Sequence, residues 1–329
     1  MKKELIKYFF CFICLLFCFI SCTTNLPATF GKPRKIVLLT NYREKIENQI
    51  KAILEQNIYT VQPEPEFLIK YEPLENIAPF LKFHLIFIIG TIDEEPINTL
   101  INKYQAKIKS DTFGLFAFSE PWAKGQKVLV FAATSHELLE TGLKRYAPRI
   151  QKTFQEYLLT YMTQITYERG YDKRLTKQLS DNYNYILKIP NGFKINLKYE
   201  PDGFIYLVGH NPERSIFLYT QAQELELTRS RLIAFRDSLT MRFYDGDFVY
   251  QLLTRAETTL FNNVVAMKLI GVWQNNEIIV GGPFISYGFN NNHQFYFIDG
   301  VLFNPGKKKL DNLNQLDAII HTFKIGEKN

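Results

Sequence analysis

VVAMKLIGVWQNNEIIVGGPFISYGFNNNHQFYFIDGVLF, residues 264–303, is the stretch that decides the fold. Three runs rich in Val, Ile, Phe and Tyr are broken by Gln274-Asn-Asn276 and by Asn290-Asn-Asn-His293. Branched and aromatic side chains suit a pleated surface, and asparagine tolerates the left-handed backbone of tight turns. Turns this short force neighbouring strands to run antiparallel. The expected strands are Val264 to Trp273, Glu277 to Tyr287 and Gln294 to Phe303. Gly281-Gly282-Pro283 lies between strand-like segments with no helix after it, so it reads as a bulge or a close backbone contact and not as a phosphate loop.

Working outward, the segment Thr228 to Phe243 reads as a helix with an apolar stripe at Leu232, Phe235, Leu239 and Phe243. Arg229 and Arg236 border that stripe, so their guanidinium groups need carboxylate, carbonyl or ligand acceptors. An internal ion pair is the plain reading; an anion or ligand site at Arg236 and Asp237 is the sharper one. Further strands are expected at Tyr185 to Lys188, Phe204 to Gly209, Ser215 to Thr220 and Val249 to Glu257, and a closing helix near Leu313 to Phe323.

The first half begins with strand then helix. Lys35-Ile-Val-Leu-Leu-Thr40 reads as a buried strand, and Ile46, Ile50, Ile53 and Leu54 mark the inner face of a helix. Phe83 to Gly90 is a second apolar strand, followed by a helix carrying Ile97, Leu100, Ile101 and Tyr104. Strands Phe113 to Phe118 and Lys127 to Ala132 flank a turn at Trp122 to Gln126. Pro148 to Arg169 reads as a long packing helix, with proline in its first turn and Gly170 as its cap. The expected class is α+β, with mixed and antiparallel sheets packed against helices in two lobes. Each half ends in a strand pair with a tryptophan and then a helix, a hint of duplication. The domain reading is 1–21 signal, 22–33 tether, 34–170 first lobe and 171–329 second lobe.

All four cysteines, Cys11, Cys14, Cys18 and Cys22, fall in the first 22 positions. Lys2, Lys3 and Lys7 precede an uncharged apolar run from Tyr8 to Ile20, which is the layout of an export signal and too short for a membrane span of about 20 residues. Ser21-Cys22 at its end resembles a bacterial lipobox, which implies a diacylglyceryl group on the Cys22 thiol and cleavage after Ser21. A chain processed there has no free thiol, so disulfides, thiolate nucleophiles and cysteine-held metals are excluded. Thr23 and Thr24 lack the aspartate associated with inner-membrane retention, so the expected address is the outer membrane, facing the periplasm. The tether CTTNLPATFGKP reaches at most about 40 Å when extended.

The net charge of +6 falls once the three lysines and one glutamate of residues 1–21 are removed. Such a balance does not argue for nucleic acid. Aromatic residues make up 15% of the chain, a share that suits a sugar-binding surface as well as a plain compositional bias. Thr134-Ser-His-Glu137 has the spacing of a capping box, and its overlap with the zinc-protease helix motif fails because Glu140 stands where a second histidine is needed. His84, His136, His210, His293 and His321 are scattered without ligand spacing. No Gly-x-Ser-x-Gly elbow occurs. No metal, cofactor or catalytic residue is therefore expected.

Ile233-Ala-Phe-Arg-Asp-Ser-Leu239, Gly271-Val-Trp273, Gly281-Gly-Pro-Phe284 and Gly300-Val-Leu-Phe-Asn-Pro305, in that order, resemble a family of uncharacterised lipoproteins of Gram-negative bacteria known only as domain of unknown function 4837. The resemblance spans about Gly31 to Phe323 and implies lipoprotein status and a shared fold, with no assigned catalytic residue, cofactor or substrate. The reading that results is a lipid-anchored envelope protein that binds or scaffolds. Its anchor is Cys22, its partner an envelope protein or a glycan, and its candidate ligand residues are Arg236, Asp237, Trp122 and Trp273. The alternative is a hydrolase built on carboxylates with Arg236 and His210.

Overall fold

The computed structural model describes residues 26–105, 108 and 112–326. Cys22 and the rest of the export and anchor motif lie outside the described residues.

The first lobe is a five-stranded sheet. Strands β1 (Lys35–Leu39), β4 (Leu68–Glu72), β5 (Leu85–Thr91) and β7 (Lys127–Ala133) are parallel, and β6 (Phe113–Ser119) is the antiparallel edge, in the order β4-β1-β5-β7-β6. Both faces are covered, which is why its strands read as unbroken apolar runs. Ile36, Leu38, Phe87, Ile89, Leu129 and Phe131 face α1 (Arg43–Leu54) and α3 (Glu137–Thr166). Val37, Leu39, Ile86, Ile88, Val128 and Val130 face α2 (Ile97–Lys103) and the segment carrying Leu74 and Phe80. The four residues expected on the inner face of α1 are its buried ones.

Helix α3 departs from expectation at its start. It begins at Glu137, so Pro148 lies inside it and not in its first turn. Leu139 and Leu143 extend the stripe of Ile150, Phe154 and Leu158, and Gly142 lies so close under Phe131 that a Cβ would come within 2.4 Å of that ring. This burial outweighs the one backbone bond that proline removes. The capping box does not form either: the cap residue is His136, with no side-chain cap bond, while the Thr134 hydroxyl donates to Thr112 O at 3.1 Å.

The second lobe is a seven-stranded antiparallel sheet in the order β12-β13-β14-β15-β11-β10-β9. Its strands are β9 (Phe193–Asn196), β10 (Ile205–Gly209), β11 (Glu213–Gln221), β12 (Phe248–Phe261), β13 (Val264–Gln274), β14 (Gly281–Asn291) and β15 (Gln294–Phe303). One face packs on α4 (Lys173–Tyr183) and α6 (Leu310–Ile320), the other on α5 (Arg229–Phe243). Each lobe does end in an antiparallel strand pair followed by a helix, but the mostly parallel order of the first sheet and the fully antiparallel order of the second give the two lobes different topologies. Trp122 also sits in a loop, outside any strand.

The strand expected from Glu277 starts only at Gly281. Asn275 Oδ1 accepts from the N–H groups of Glu277 (2.8 Å) and Ile278 (3.2 Å), so a side-chain turn takes the backbone donors that a strand would need. Ile278 and Ile279 are left exposed at 58% and 107%.

The lobes interlock. Hairpin β2–β3 (Asn57–Thr60, Gln62–Pro65) places Ile58 in the second lobe's core, and Ala318 of α6 lies in the cluster formed by α1 and α3. Glu64 Oε1 accepts from the N–H groups of Lys309 (2.8 Å) and Leu310 (3.3 Å), capping α6 from the other lobe. Arg34 donates to Pro65 O at 2.6 Å within its own lobe and pairs with Asp311 at 2.5 Å across the seam. No helix among the described residues is long and apolar enough to cross a membrane.

Candidate ligand cleft at the end of helix α5

Helix α5 covers only part of its sheet face. Past Phe243 the chain turns through Tyr244-Asp-Gly-Asp247 into β12, and the uncovered strands form a cleft of about 410 Å³. Its floor follows strand alternation: Tyr206 and Val208 of β10, Ser215 of β11, Val301 and Phe303 of β15, and Trp273 of β13. Lys198 and Tyr199 form one wall. The opposite wall is the Asn275 to Val280 loop, which carries Ile278.

The inner end is polar. Tyr244 Oη and Ser215 Oγ share a hydrogen bond at 3.0 Å, and burial, with Tyr206 beside it, holds the Tyr244 hydroxyl well above the ordinary tyrosine range. The Tyr206 and Tyr244 rings meet edge-on, 5.1 Å apart. Asp247 is 8% exposed. Burial raises its pKa, and the donation it receives from Asn275 Nδ2 at 2.9 Å pulls the other way. The same Asn275 amide donates to Asp245 O at 2.9 Å, which ties the loop wall to the turn. Neither Asp245 nor Asp247 forms a salt bridge among the described residues.

Of the four candidate ligand residues, only Trp273 lines this cleft, and it is 6% exposed. Its Nε1 is buried without a hydrogen-bond partner among the described residues. The indole lies over Gly282, where an added Cβ would sit 3.0 Å from Nε1 and 2.0 Å from Leu302 O. Gly281-Gly282 is therefore a close-contact site, and the β13–β14 register passes through it without a bulge. Arg236 is sealed: Nε donates to Asp299 Oδ1 at 2.8 Å, Nη2 to Oδ2 at 3.2 Å, and the guanidinium lies 4.0 Å from the Phe284 ring centroid. Asp237 Oδ1 accepts from Val249 N–H at 2.8 Å and fixes the start of β12. Trp122 packs in the first lobe against the α2 side of its sheet. The four do not converge.

The remaining chemistry is dispersed. His84 is buried beside Tyr161, and burial lowers its pKa. His136 and His293 are exposed. His210 lies in a shallow groove at β9, next to the cleft but outside it. No group of three or more His, Cys, Asp or Glu that could hold a metal occurs among the described residues. The residues that sequence reasoning missed are Tyr199, Tyr206, Tyr244, Asp245 and Asp247. An Asp-Gly-Asp directly after an aromatic helix end was their one visible signal.

Residues 172–322 match the family model described as Domain of unknown function (DUF4837). Residues 30–166 match a second model, Domain of unknown function (DUF8532), so the DUF4837 match is narrower than the span expected from the sequence. The motif residues within the matched segment are architectural: Arg236 joins α5 to Asp299 of β15, and Gly282 admits Trp273. Thr254 packs on Gly271, where a Cβ would meet its Oγ1 at 2.1 Å. No curated protein matches the chain. Similar solved structures include cyanobacterial PsbP (CyanoP) from Synechocystis sp. PCC 6803, 10% identical with a TM-score of 0.32, covering 43% of this chain and 86% of that one. A second is a protein from Bacteroides thetaiotaomicron VPI-5482, 7% identical with a TM-score of 0.27, covering 44% and 46%.

Proposed function

We propose that this chain is a lipid-anchored protein of the cell envelope that binds a small organic group in the cleft beyond α5 and performs no chemistry on it. The observation that carries the reading is the cleft itself. At about 410 Å³, with aromatic walls and a few polar groups at its inner end, it has the size and composition of a small-molecule site. The bound group is free or is displayed on an envelope glycan or protein. The Ser21-Cys22 motif supports an anchor on the outer membrane, facing the periplasm.

A second reading, a carboxylate-based hydrolase, draws on Asp247, whose raised pKa suits a general acid, and on the neighbouring Asp245. The lining residues include no histidine and no sealed nucleophile–base pair, which favours binding over turnover.

The test is an NMR titration of the full processed chain with a panel of small cations, neutral saccharides and anions. Saturable shifts confined to Tyr199, Tyr206, Tyr244 and the 275–280 loop are expected from at least one class. Shifts elsewhere only, or none, reject the cleft. Cys22→Ser is expected to release the protein from the membrane fraction and to abolish labelling by radioactive palmitate; persistence of both rejects the anchor.

A further inference from the structure

Resting on the binding role of the cleft, we infer that the group it takes is an organic cation, an ammonium or guanidinium on an apolar stem. The charge of the walls is the first observation. Glu213, Asp245 and Asp247 line the cleft, with Lys198 on its wall. Arg214 also borders it, but strand alternation sends its side chain to the opposite face. There it donates to Gln315 of α6 and lies 5.2 Å from the Phe193 ring centroid.

The second observation is the inner carboxylate. Asp247 is more than nine-tenths buried, and its one side-chain partner among the described residues is the neutral amide of Asn275. A carboxylate in so little water gains most from a positive neighbour; Arg236 acts on it only from a distance and is paired with Asp299, and no cation lies within 4 Å of Asp247 among the described residues. Rings of Tyr199, Tyr206 and Tyr244 stand around the same space. Aromatic rings attract cations through their quadrupole, most strongly where water is excluded.

The third observation is Lys198. Its ammonium lies 4.6 Å from the Tyr199 ring centroid, and its pKa is raised first by Tyr199 and then by Asp245. The cleft mouth thus already holds a positive group over an aromatic ring, drawn from its own wall. A ligand cation would displace it. A neutral sugar is less well served, because the largest ring, Trp273, is covered by Gly282 and Phe303 and offers little open face for stacking. Anions are opposed by three carboxylates.

The chain has two tryptophans, so Trp122→Phe leaves Trp273 as the sole reporter of the cleft. In that background the full chain is titrated with agmatine, choline, methyl glucoside and phosphate at constant ionic strength, with Trp273 emission as the readout. A saturable response to agmatine or choline is expected, weakened about tenfold by Asp247→Asn and strengthened by Lys198→Ala, which removes the resident competitor. A response to methyl glucoside or phosphate with none to the cations overturns the cation assignment and leaves the binding cleft standing. Cation binding unchanged in both Asp247→Asn and Tyr206→Leu overturns it as well, since the cation then sits elsewhere. Silence from all four probes, with no cleft shifts in the NMR panel, overturns the cleft itself.

Discussion

Arg236 shows how one residue is half legible. Helical spacing put it at the edge of an apolar stripe and required an acceptor, yet the acceptor that won, Asp299, is 63 positions away on a strand. Asp299 also accepts from the Ser286 hydroxyl, and both members of the ion pair are fully buried. Asp299→Asn strands a buried guanidinium, so a loss of roughly 3–5 kcal/mol in urea unfolding is expected; replacing both partners with Met and Leu should cost less than that single change. A second buried network centres on Asp317, which accepts from Tyr287 Oη at 2.8 Å and lies 3.0 Å from His321 Nδ1 and 3.5 Å from Lys268 Nζ. Burial opposes the His321 charge, but Asp317 outweighs it and raises the pKa above 6.5. The stability this contributes is complete below about pH 6.5 and is lost as pH rises through the raised value. For Asp317, burial is likewise outweighed, by Lys268 and His321, and its pKa falls below 3.8, so its contribution is present above that value and lost on acidification. Thermal midpoints should therefore decline on both sides of a plateau, and His321→Gln should flatten the alkaline limb; an alkaline limb unchanged by that substitution would contradict the assignment. At the cleft, Trp273 was visible as a lone large aromatic, whereas Tyr244, Asp245 and Asp247 read as an ordinary helix stop.

Elements were legible where a residue's local environment sufficed. The runs of β1, β5 and β7 and the stripes of α1 and α5 carry their period in the chain itself. Pro148 argues for a helix start and so hides the first turns of α3, while Gly142 under Phe131 is visible only in the packed structure. Ile278-Ile279-Val280 looked like strand, and the Asn275 side chain made it a wall of the cleft instead. The β2–β3 hairpin, with two prolines in Gln62–Pro65, gave no strand signal, although it carries Glu64, the cap of α6. Glu64→Ala leaves the Lys309 and Leu310 N–H groups without their acceptor, and a loss of about 2 kcal/mol is expected, with Glu64→Gln milder because it keeps an acceptor oxygen. Hydrogen exchange at the first turn of α6 checks this; unchanged protection in Glu64→Ala would remove the cap from the account.

For the whole molecule, the decisive feature is that two halves matching separate family models share their cores. Ile58 of one fills the other, Ala318 returns the exchange, and Arg34 reaches Asp311 across the seam. Residues 171–329 produced alone should melt at a lower temperature than the full chain and bind a dye for exposed apolar surface, and both defects should be relieved by co-expression with residues 26–170. Equal melting of the fragment and the full chain would show the seam to be energetically idle. The sequence by itself determined the class of fold, the antiparallel order of Val264 to Phe303 and the placing of every cysteine within the first 22 positions, because periodicity, turn chemistry and counting need only near neighbours. Only the tertiary structure decided that Arg236 is sealed, that Trp273 meets Tyr206, Tyr244 and Asp247 around one space, and that α6 is capped from the other lobe. Burial and charge pairing depend on which distant segments meet, and that is settled by packing.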